Sequence, residues 1–270
     1  MGRGIAWAAD ARTRCSKIAG LRLTRLPIGV GNACPAPGEA QSGFLVRGGD
    51  AAVMVDMGSG VLTRLRQEMA PEALTHVVVT HLHPDHCVDL MGLEVHMVWG
   101  PGAGSPPLPV IGPPGLRERL IAFSGASGFD TAFTWSAFAP DAGEVALEDG
   151  LVMRHREVPH LPPTNAVRFE RDGAAVCLGA DCAYGDALPE LAAGCDVLVC
   201  EATFGAGPGV AGVPHMTAAE AGRIAARAGV GRLLLTHLDP ARDAEATLAH
   251  ARAEFSGPVG LARPGQAVTL

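Results

Sequence analysis

The sequence predicts an α/β (α+β) protein built as a four-layer αβ/βα sandwich, in which two sheets pack together between outer helices. Two observations support this prediction. Short apolar, β-branched runs recur in both halves of the 270-residue chain, and amphipathic helical segments alternate with them. Two halves that each supply strands and helices can bury the apolar faces of both kinds of element in such a sandwich.

The first half of the chain is predicted to contain five strands and three helices. A turn at residues 48–50 joins the second and third strands as a hairpin, and Pro71 ends the first helix. The segment from the third helix to about residue 140 is predicted to be irregular. The predicted strands are 21–28, 43–47, 51–56, 76–80 and 109–111, and the predicted helices are 61–69, 87–99 and 116–123.

The second half repeats this mixture, with most strands placed before the helices. Its predicted strands are 144–147, 151–158, 166–170, 174–178, 196–200 and 232–236, and its predicted helices are 188–193, 217–228 and 242–255. Residues 1–20 lack the continuous apolar stretch of a signal peptide and are expected to form a poorly ordered extension. We therefore expect a single domain over residues 21–270.

Composition narrows the classes of function. The formal net charge of −7 argues against nucleic-acid binding by bulk electrostatics. No apolar run reaches the roughly 18 residues that a membrane span requires, so no membrane partner is expected. The seven cysteines show no C-x-x-C spacing, which favours free thiols in a cytoplasmic protein.

The segment THLHPDH, residues 80–86, places three histidines and an aspartate directly after an apolar strand. His81 and His83 are two residues apart and point the same way in an extended backbone. Pro84 interrupts the extension, so Asp85 and His86 can face a second point in space. The spacing predicts two adjacent cation sites. Imidazole and carboxylate without thiolate favour Zn²⁺, with Mn²⁺ and Fe as alternatives, whereas a chance cluster of surface histidines is the competing interpretation.

Three more candidate ligands occupy similar positions. His160, Asp181 and His237 each follow a predicted apolar strand. A single histidine at a strand end is more often capped or solvated than bound to a metal. Together with the THLHPDH segment, however, these residues form the pattern expected when loops at one sheet edge converge on a pocket.

These segments resemble the metallo-β-lactamase superfamily, and most closely its branch of ribonuclease Z and related phosphodiesterases, over about residues 21–240. THLHPDH contains the motif H-x-H-x-D-H, and residues 160–168 look like H-x-x-P-x-x-G-x-R, with Ala166 in place of the glycine. CEATF at 200–204 is similar to the HEATF box and HMTA at 215–218 to the HST box of that branch. The resemblance implies two divalent metal ions. It assigns His81, His83 and His160 to one ion, Asp85, His86 and His237 to the other, and Asp181 to a bridging position.

The same resemblance guides the expected function. Only about twenty residues separate His160 from Asp181, where tRNA-processing members insert a long tRNA-binding arm. The missing arm and the acidic charge argue against tRNA as a partner. We expect a small-molecule or nucleotide substrate, such as a small phosphodiester, a cyclic nucleotide or an RNA end. A homodimer is also expected, because dimers are common in this branch.

The expected mechanism is attack on phosphorus by a hydroxide held between the two metal ions. Asp85 would orient this nucleophile, while Glu201 and His215 would form a pair in which His215 contacts a phosphoryl oxygen or protonates the leaving group. The alternatives are hydrolysis of a thioester, lactone or β-lactam at the same site, and a metal-bound scaffold without turnover. Cys182, beside Asp181, is expected to be a buried filler rather than a metal-bound thiolate.

Overall fold

Two seven-stranded sheets form the centre of the protein, which a computed structural model describes over residues 23–125 and 128–270. The predicted extension at residues 1–20 lies outside the described residues. Numbered along the chain, the strands are β1 (Thr24–Gly29), β2 (Gly43–Gly48), β3 (Ala51–Val55), β4 (His76–Val78), β5 (Leu108–Gly112), β6 (Phe133–Ala137), β7 (Ala142–Ala146), β8 (Val152–Val158), β9 (Thr164–Arg171), β10 (Ala174–Leu178), β11 (Val197–Glu201), β12 (Leu233–Thr236), β13 (Val259–Leu261) and β14 (Val268–Thr269).

Within the described residues, the first half has five helices, two more than the sequence predicts, and the second half has the three that it predicts. The helices are α1 (Val61–Glu68), α2 (Pro84–Cys87), α3 (Leu90–Val98), α4 (Leu116–Ser124), α5 (Phe129–Ala132), α6 (Ala187–Leu191), α7 (Ala218–Ala228) and α8 (Ala244–Glu254), with 3₁₀ turns at Pro71–Ala73 and Glu148–Gly150. None of the helices within the described ranges has the length and apolar composition needed to cross a bilayer.

The two sheets have matching topologies. The first sheet has the order β14-β1-β2-β3-β4-β5-β6 and the second has the order β13-β12-β11-β10-β9-β8-β7. In each sheet, antiparallel pairs give way to parallel ones: β3, β4, β5 and β6 run parallel, as do β10, β11, β12 and β13. Carboxyl ends of parallel strands meet at one sheet edge, which is where ligands bind in open α/β sheets.

Three hydrophobic layers hold the sandwich together. Alternate residues of one strand enter different layers, because side chains alternate across a sheet. In β2, Phe44 and Val46 pack between the sheets, while Leu45 faces the helices α1 and α3. Helices α7 and α8 cover the outer face of the second sheet in the same way, around buried residues such as Ile224. The observed layer order is helix, sheet, sheet, helix, which confirms the predicted four-layer sandwich.

Several predicted elements are wrong in detail. The segment before residue 140 was expected to be irregular, but it contains α5 and β6, and β6 pairs in parallel with β5. The predicted helix 87–99 starts as a separate turn and α3 begins only at Leu90, because the backbone N–H of Asp89 donates to the carbonyl of Met57 at 2.8 Å instead of to the preceding turn. Strands β13 and β14 were not predicted, since three and two residues are too few to show an alternating pattern.

Candidate metal centre

The strand ends bring all seven predicted ligands into one place at the edge of the sandwich. The ligand atoms fall into two groups, each with all its members within 4.8 Å of one another. We call His81, His83 and His160 the histidine cluster, and Asp85, His86 and His237 the acidic cluster. Asp181 belongs to both groups.

In the histidine cluster, three ring nitrogens face one another. The Nδ1 atom of His83 lies 3.1 Å from Nε2 of His81 and 3.4 Å from Nε2 of His160. Oδ2 of Asp181 completes the group at 3.8 Å from Nε2 of His81. His81 is fully buried, whereas His83 is only partly buried and brings the cluster to the surface.

In the acidic cluster, the Asp85 carboxylate and two imidazoles converge with the shared Asp181, and all four side chains are buried. Oδ2 of Asp85 lies 3.3 Å from Nε2 of His237 and 3.6 Å from Nε2 of His86. Both of these nitrogens lie 3.3 Å from Oδ2 of Asp181. Asp181 therefore contacts both clusters through the same oxygen atom.

Left-handed backbone turns aim the side chains at this edge. Three residues next to or within the centre have positive φ: Asp56 at 60°, Ala180 at 53° and His237 at 57°. This region is uncommon for residues with a Cβ atom, and such strain clusters at functional sites. Asp56 and His237 directly follow a strand and Ala180 is the second residue after one, so the chain reverses sharply where a ligand is needed.

Each histidine that points Nε2 into the centre has its Nδ1 atom fixed by another group. His86 donates to Oδ2 of Asp56 at 2.7 Å, and His160 donates to the carbonyl of Pro214 at 3.0 Å. His81 and His237 each lie 3.0 Å from a hydroxyl, that of Thr80 and that of Thr203 respectively. These contacts fix the tautomer that presents a lone pair on Nε2, as metal-binding imidazoles require.

The hydroxyl groups of Thr80 and Thr203 are themselves oriented. Thr80 donates to Oδ2 of Asp56 at 2.9 Å, and Thr203 donates to Oε2 of Glu201 at 2.7 Å. Since each hydroxyl has only one hydrogen, it must accept from the neighbouring imidazole. Asp56 also accepts from the backbone N–H of Thr80 at 2.7 Å. Asp56, Thr80 and Thr203 were not among the predicted site residues.

The pKa shifts differ between the clusters. Burial lowers the pKa of His81, His83 and His160, so the imidazoles of the histidine cluster are neutral at neutral pH and can act as ligands. Burial also lowers the pKa of His86, but the charges of Asp181 and Asp56 outweigh it and hold that pKa well above its usual value.

Burial has the opposite effect on a carboxylate, whose pKa it raises. Burial raises the pKa of Asp85, but the hydrogen bond to His237 and the charge of His86 lower it below its ordinary value. Burial likewise raises the pKa of Asp181, and the charges of His237 and His86 outweigh this effect. Both carboxylates are therefore ionised, as cation ligands must be.

Comparison with known proteins places this centre in a family. Residues 52–238 match a family model described as a beta-lactamase superfamily domain. The crystal structure of YhfI, a metallo-beta-lactamase fold protein from Bacillus subtilis, superposes with a TM-score of 0.83 and 30% sequence identity, covering 92% of this chain and 99% of that one. The chain belongs to the metallo-β-lactamase superfamily. It is a hydrolase of the metallo-β-lactamase fold, as the family and its structural neighbours support.

Two sequence relatives refine the position within the superfamily. The chain is 35% identical over 260 residues to a ribonuclease Z of Mycobacterium tuberculosis, covering 86% of this chain and 92% of that protein. It is also 35% identical over 248 residues to the uncharacterized protein Rv1339 of the same organism, covering 90% of this chain and 89% of that protein. The predicted resemblance to the ribonuclease Z-like branch is confirmed.

Metallo-β-lactamase membership implies divalent metal ions, and the two clusters fit them. Donors that bind one tetrahedral Zn²⁺ at about 2.0–2.1 Å lie about 3.4 Å from one another. The observed separations of 3.1–3.8 Å bracket this value. In addition, Nε2 of His86 is buried and has no hydrogen-bond partner among the described residues. A buried polar atom without a partner is costly, and a cation between the ligands would satisfy it.

Glu201 and His215 lie beside the centre as a connected pair. Nδ1 of His215 donates to Oε1 of Glu201 at 2.7 Å. The Glu201 carboxylate also accepts from the backbone N–H groups of Cys182, Thr203 and Met216, and it is 1% exposed. All of its bonding capacity is therefore used by the protein, so Glu201 can act on a substrate only by orienting His215.

His215 reaches both clusters. Its ring stacks on His237 with 5.6 Å between centroids and meets His160 edge-on at 5.2 Å. Burial lowers the pKa of His215, but the hydrogen bond to Glu201 outweighs it and leaves that pKa above its ordinary value. With Nδ1 bound to Glu201, Nε2 remains available at the edge of the metal centre.

Cys182 is not among the grouped ligand atoms. It is fully buried, its thiol contacts the carbonyl of Gly179 at 3.7 Å, and burial raises the pKa of the thiol well above its usual value. A neutral, enclosed thiol fills space and does not serve as a metal ligand.

Proposed function

We propose that the protein is a metal-dependent phosphodiesterase that acts on a small phosphodiester. The observation that supports this most directly is the pair of Glu201 and His215 beside the two clusters. The pair occupies the boxes that resemble those of the phosphodiesterase branch, and one 35% identical relative is named ribonuclease Z. Zn²⁺ is the proposed metal, because the donors are imidazole nitrogens and carboxylate oxygens in tetrahedral spacing.

The residues of the chain divide the work as follows. The histidine cluster, the acidic cluster and Asp181 would hold two divalent ions, which supply Lewis-acid activation of water and neutralise charge on the phosphoryl group. Asp85 would also orient the attacking water. His215 donates from Nε2 to a phosphoryl or leaving-group oxygen, and Glu201 keeps its ring in position.

The connection between His160 and Asp181 supports a small substrate. Strands β9 and β10 form a hairpin whose turn is Asp172-Gly173, with positive φ at both residues. This two-residue turn leaves no room for an inserted arm. Together with the acidic chain, the short hairpin supports a small molecule or nucleotide as substrate and argues against tRNA.

The reaction class can be tested with chromogenic esters. Metal-analysed protein should hydrolyse bis(p-nitrophenyl) phosphate, and chelation should abolish the activity. A thioester, a lactone and a β-lactam serve as comparison substrates. Turnover of a carbonyl ester without turnover of the phosphodiester would replace this proposal by the carbonyl-ester alternative.

The role of His215 can be tested separately. His215→Ala should lower kcat by about 100-fold or more, since general acid catalysis commonly contributes that much. Its zinc content should remain that of the wild type, because His215 is not required by either cluster. His250→Ala, at an exposed position on α8, is a matched control that should change neither quantity. Parallel loss of zinc and activity in His215→Ala would make His215 a ligand instead.

A further inference from the structure

The loop before His215 carries exposed apolar side chains. Val210 is 53% exposed and Val213 is 42% exposed. Their positions are fixed by the backbone: the N–H of Val213 donates to the carbonyl of Val210 at 3.1 Å, and the N–H of His215 donates to the carbonyl of Val213 at 2.9 Å. These bonds order the loop that carries both valines and His215.

A third apolar side chain lies on the opposite side of the same contact. Leu161 is 77% exposed and directly follows His160. The ring of His160 donates to the carbonyl of Pro214 at 3.0 Å, which joins its loop to the loop of Val213. Leu161 follows His160 in the chain and Val213 precedes Pro214, so each is next to one partner of this hydrogen bond. We call Leu161, Val210 and Val213 the apolar rim.

Basic side chains are absent from these two loops. Residues 159–163 and 203–217 contain no lysine or arginine. The arginine that lies against this region, Arg242, packs on the backbone of Gly205 and Gly207 and pairs with Asp239 at 3.5 Å. These two loops therefore supply no lysine or arginine for a second negatively charged group of a substrate.

We infer that the apolar rim binds the uncharged substituent of the phosphodiester, and that it selects substrates with one negative charge and an apolar or aromatic group. This inference rests on the proposed function. Scattered exposed apolar residues are ordinary, but these three lie in the two loops that carry His160 and His215, where a group of a substrate held at the metal centre could cover them. A further phosphate would lose water without gaining a counter-ion, which disfavours RNA ends relative to small diesters.

The experiment uses two pairs of substrates that share the p-nitrophenolate leaving group. Bis(p-nitrophenyl) phosphate and methyl p-nitrophenyl phosphate differ in the size of the apolar substituent. Thymidine 5′-(p-nitrophenyl phosphate) with and without a 3′-phosphate differ by one charged group. For the wild type, the added phosphate should lower kcat/KM at least tenfold. The double variant Leu161→Ala/Val213→Ala should lower kcat/KM for the bis ester about tenfold, mainly through KM, and change the methyl ester less than twofold.

Val95→Ala provides the matched control, because Val95 is 52% exposed on α3, away from the two loops. Val95→Ala should leave kcat/KM unchanged for both the bis ester and the methyl ester. Equal losses for the bis and methyl esters in the double variant, or equal kcat/KM with and without the 3′-phosphate, would overturn the rim inference and leave the phosphodiesterase proposal standing. Failure of the metal-loaded wild type to hydrolyse any of the four diesters would overturn both.

Discussion

The two ligand clusters share Asp181, yet their surroundings differ in charge and in access to solvent. The histidine cluster adds three neutral imidazoles, and the partly buried His83 connects it to the surface. The acidic cluster adds the ionised carboxylate of Asp85, and the carboxylate of Asp56 lies directly behind His86. One half of the centre is open to solvent and has no carboxylate of its own besides the shared Asp181, and the other half is enclosed and has one.

This difference indicates how the two sites divide their tasks. A second carboxylate strengthens the attraction for a divalent cation, and burial reduces the screening by water. We therefore expect the acidic cluster to retain its ion more tightly and the histidine cluster to exchange its ion first. The asymmetry also places the more accessible site next to His160 and the apolar rim, where a substrate would arrive.

Asp181→Asn is the largest expected disruption, because it removes the one ligand that both clusters share. Affinity for both ions should fall by more than the roughly 100-fold that a partner behind a ligand contributes. Zinc content after dialysis against a buffered free-zinc solution measures this loss. Asp243→Asn is a matched control, since the Asp243 carboxylate caps α8 and belongs to neither cluster. Retention of one full equivalent of zinc by Asp181→Asn would show that Asp181 serves a single cluster.

Single-cluster variants should separate the two sites. In a stepwise chelator titration, the wild type should release its ions in two steps. His83→Ala should remove the step of weaker metal affinity. The affinity measured in the tighter step should stay within about threefold of the wild-type value. Asp85→Asn should weaken the tighter step by more than 100-fold, because it removes both a ligand and a charge. Identical effects of the two variants on both steps would mean that the ions bind as one cooperative unit and that the proposed asymmetry is wrong.

The sequence revealed the ligands better than their supports. His81, His83, Asp85 and His86 are close in the chain, so their spacing alone predicts two sites. His160, Asp181 and His237 could be assigned only through their positions after strands and through the family resemblance. All seven come together in the structure, and their binding of metal remains a prediction that the titrations test.

The supporting residues could not be found from the sequence for a physical reason. Asp56 and His86 are 30 residues apart and meet because β3 pairs in parallel with β4. Thr80 and Thr203 are ordinary residues at strand ends, and only the observed distances show which imidazole each one holds. The edge strands β13 and β14 were missed for a related reason: their pairing partners, and not their own composition, make them strands.

The two threonines provide the finest test of the asymmetry between the clusters. The Thr80 hydroxyl accepts from His81 in the histidine cluster, and the Thr203 hydroxyl accepts from His237 in the acidic cluster. Replacement by valine keeps the shape and removes the hydroxyl. Thr80→Val should weaken only the weaker titration step, and Thr203→Val only the tighter one, each by about tenfold.

Thr→Ser at each position retains the hydroxyl, so the metal affinity of the corresponding titration step should stay within about twofold of the wild-type value. This variant separates loss of the hydrogen bond from loss of packing. If Thr80→Val weakened the tighter step instead, the effect would have passed through Asp56, which accepts from both Thr80 and His86. The hydrogen bonds that hold the ligands of one cluster would then depend on those of the other cluster. The two sites would form one hydrogen-bond network, in which removal of any single partner changes the affinity for both metal ions.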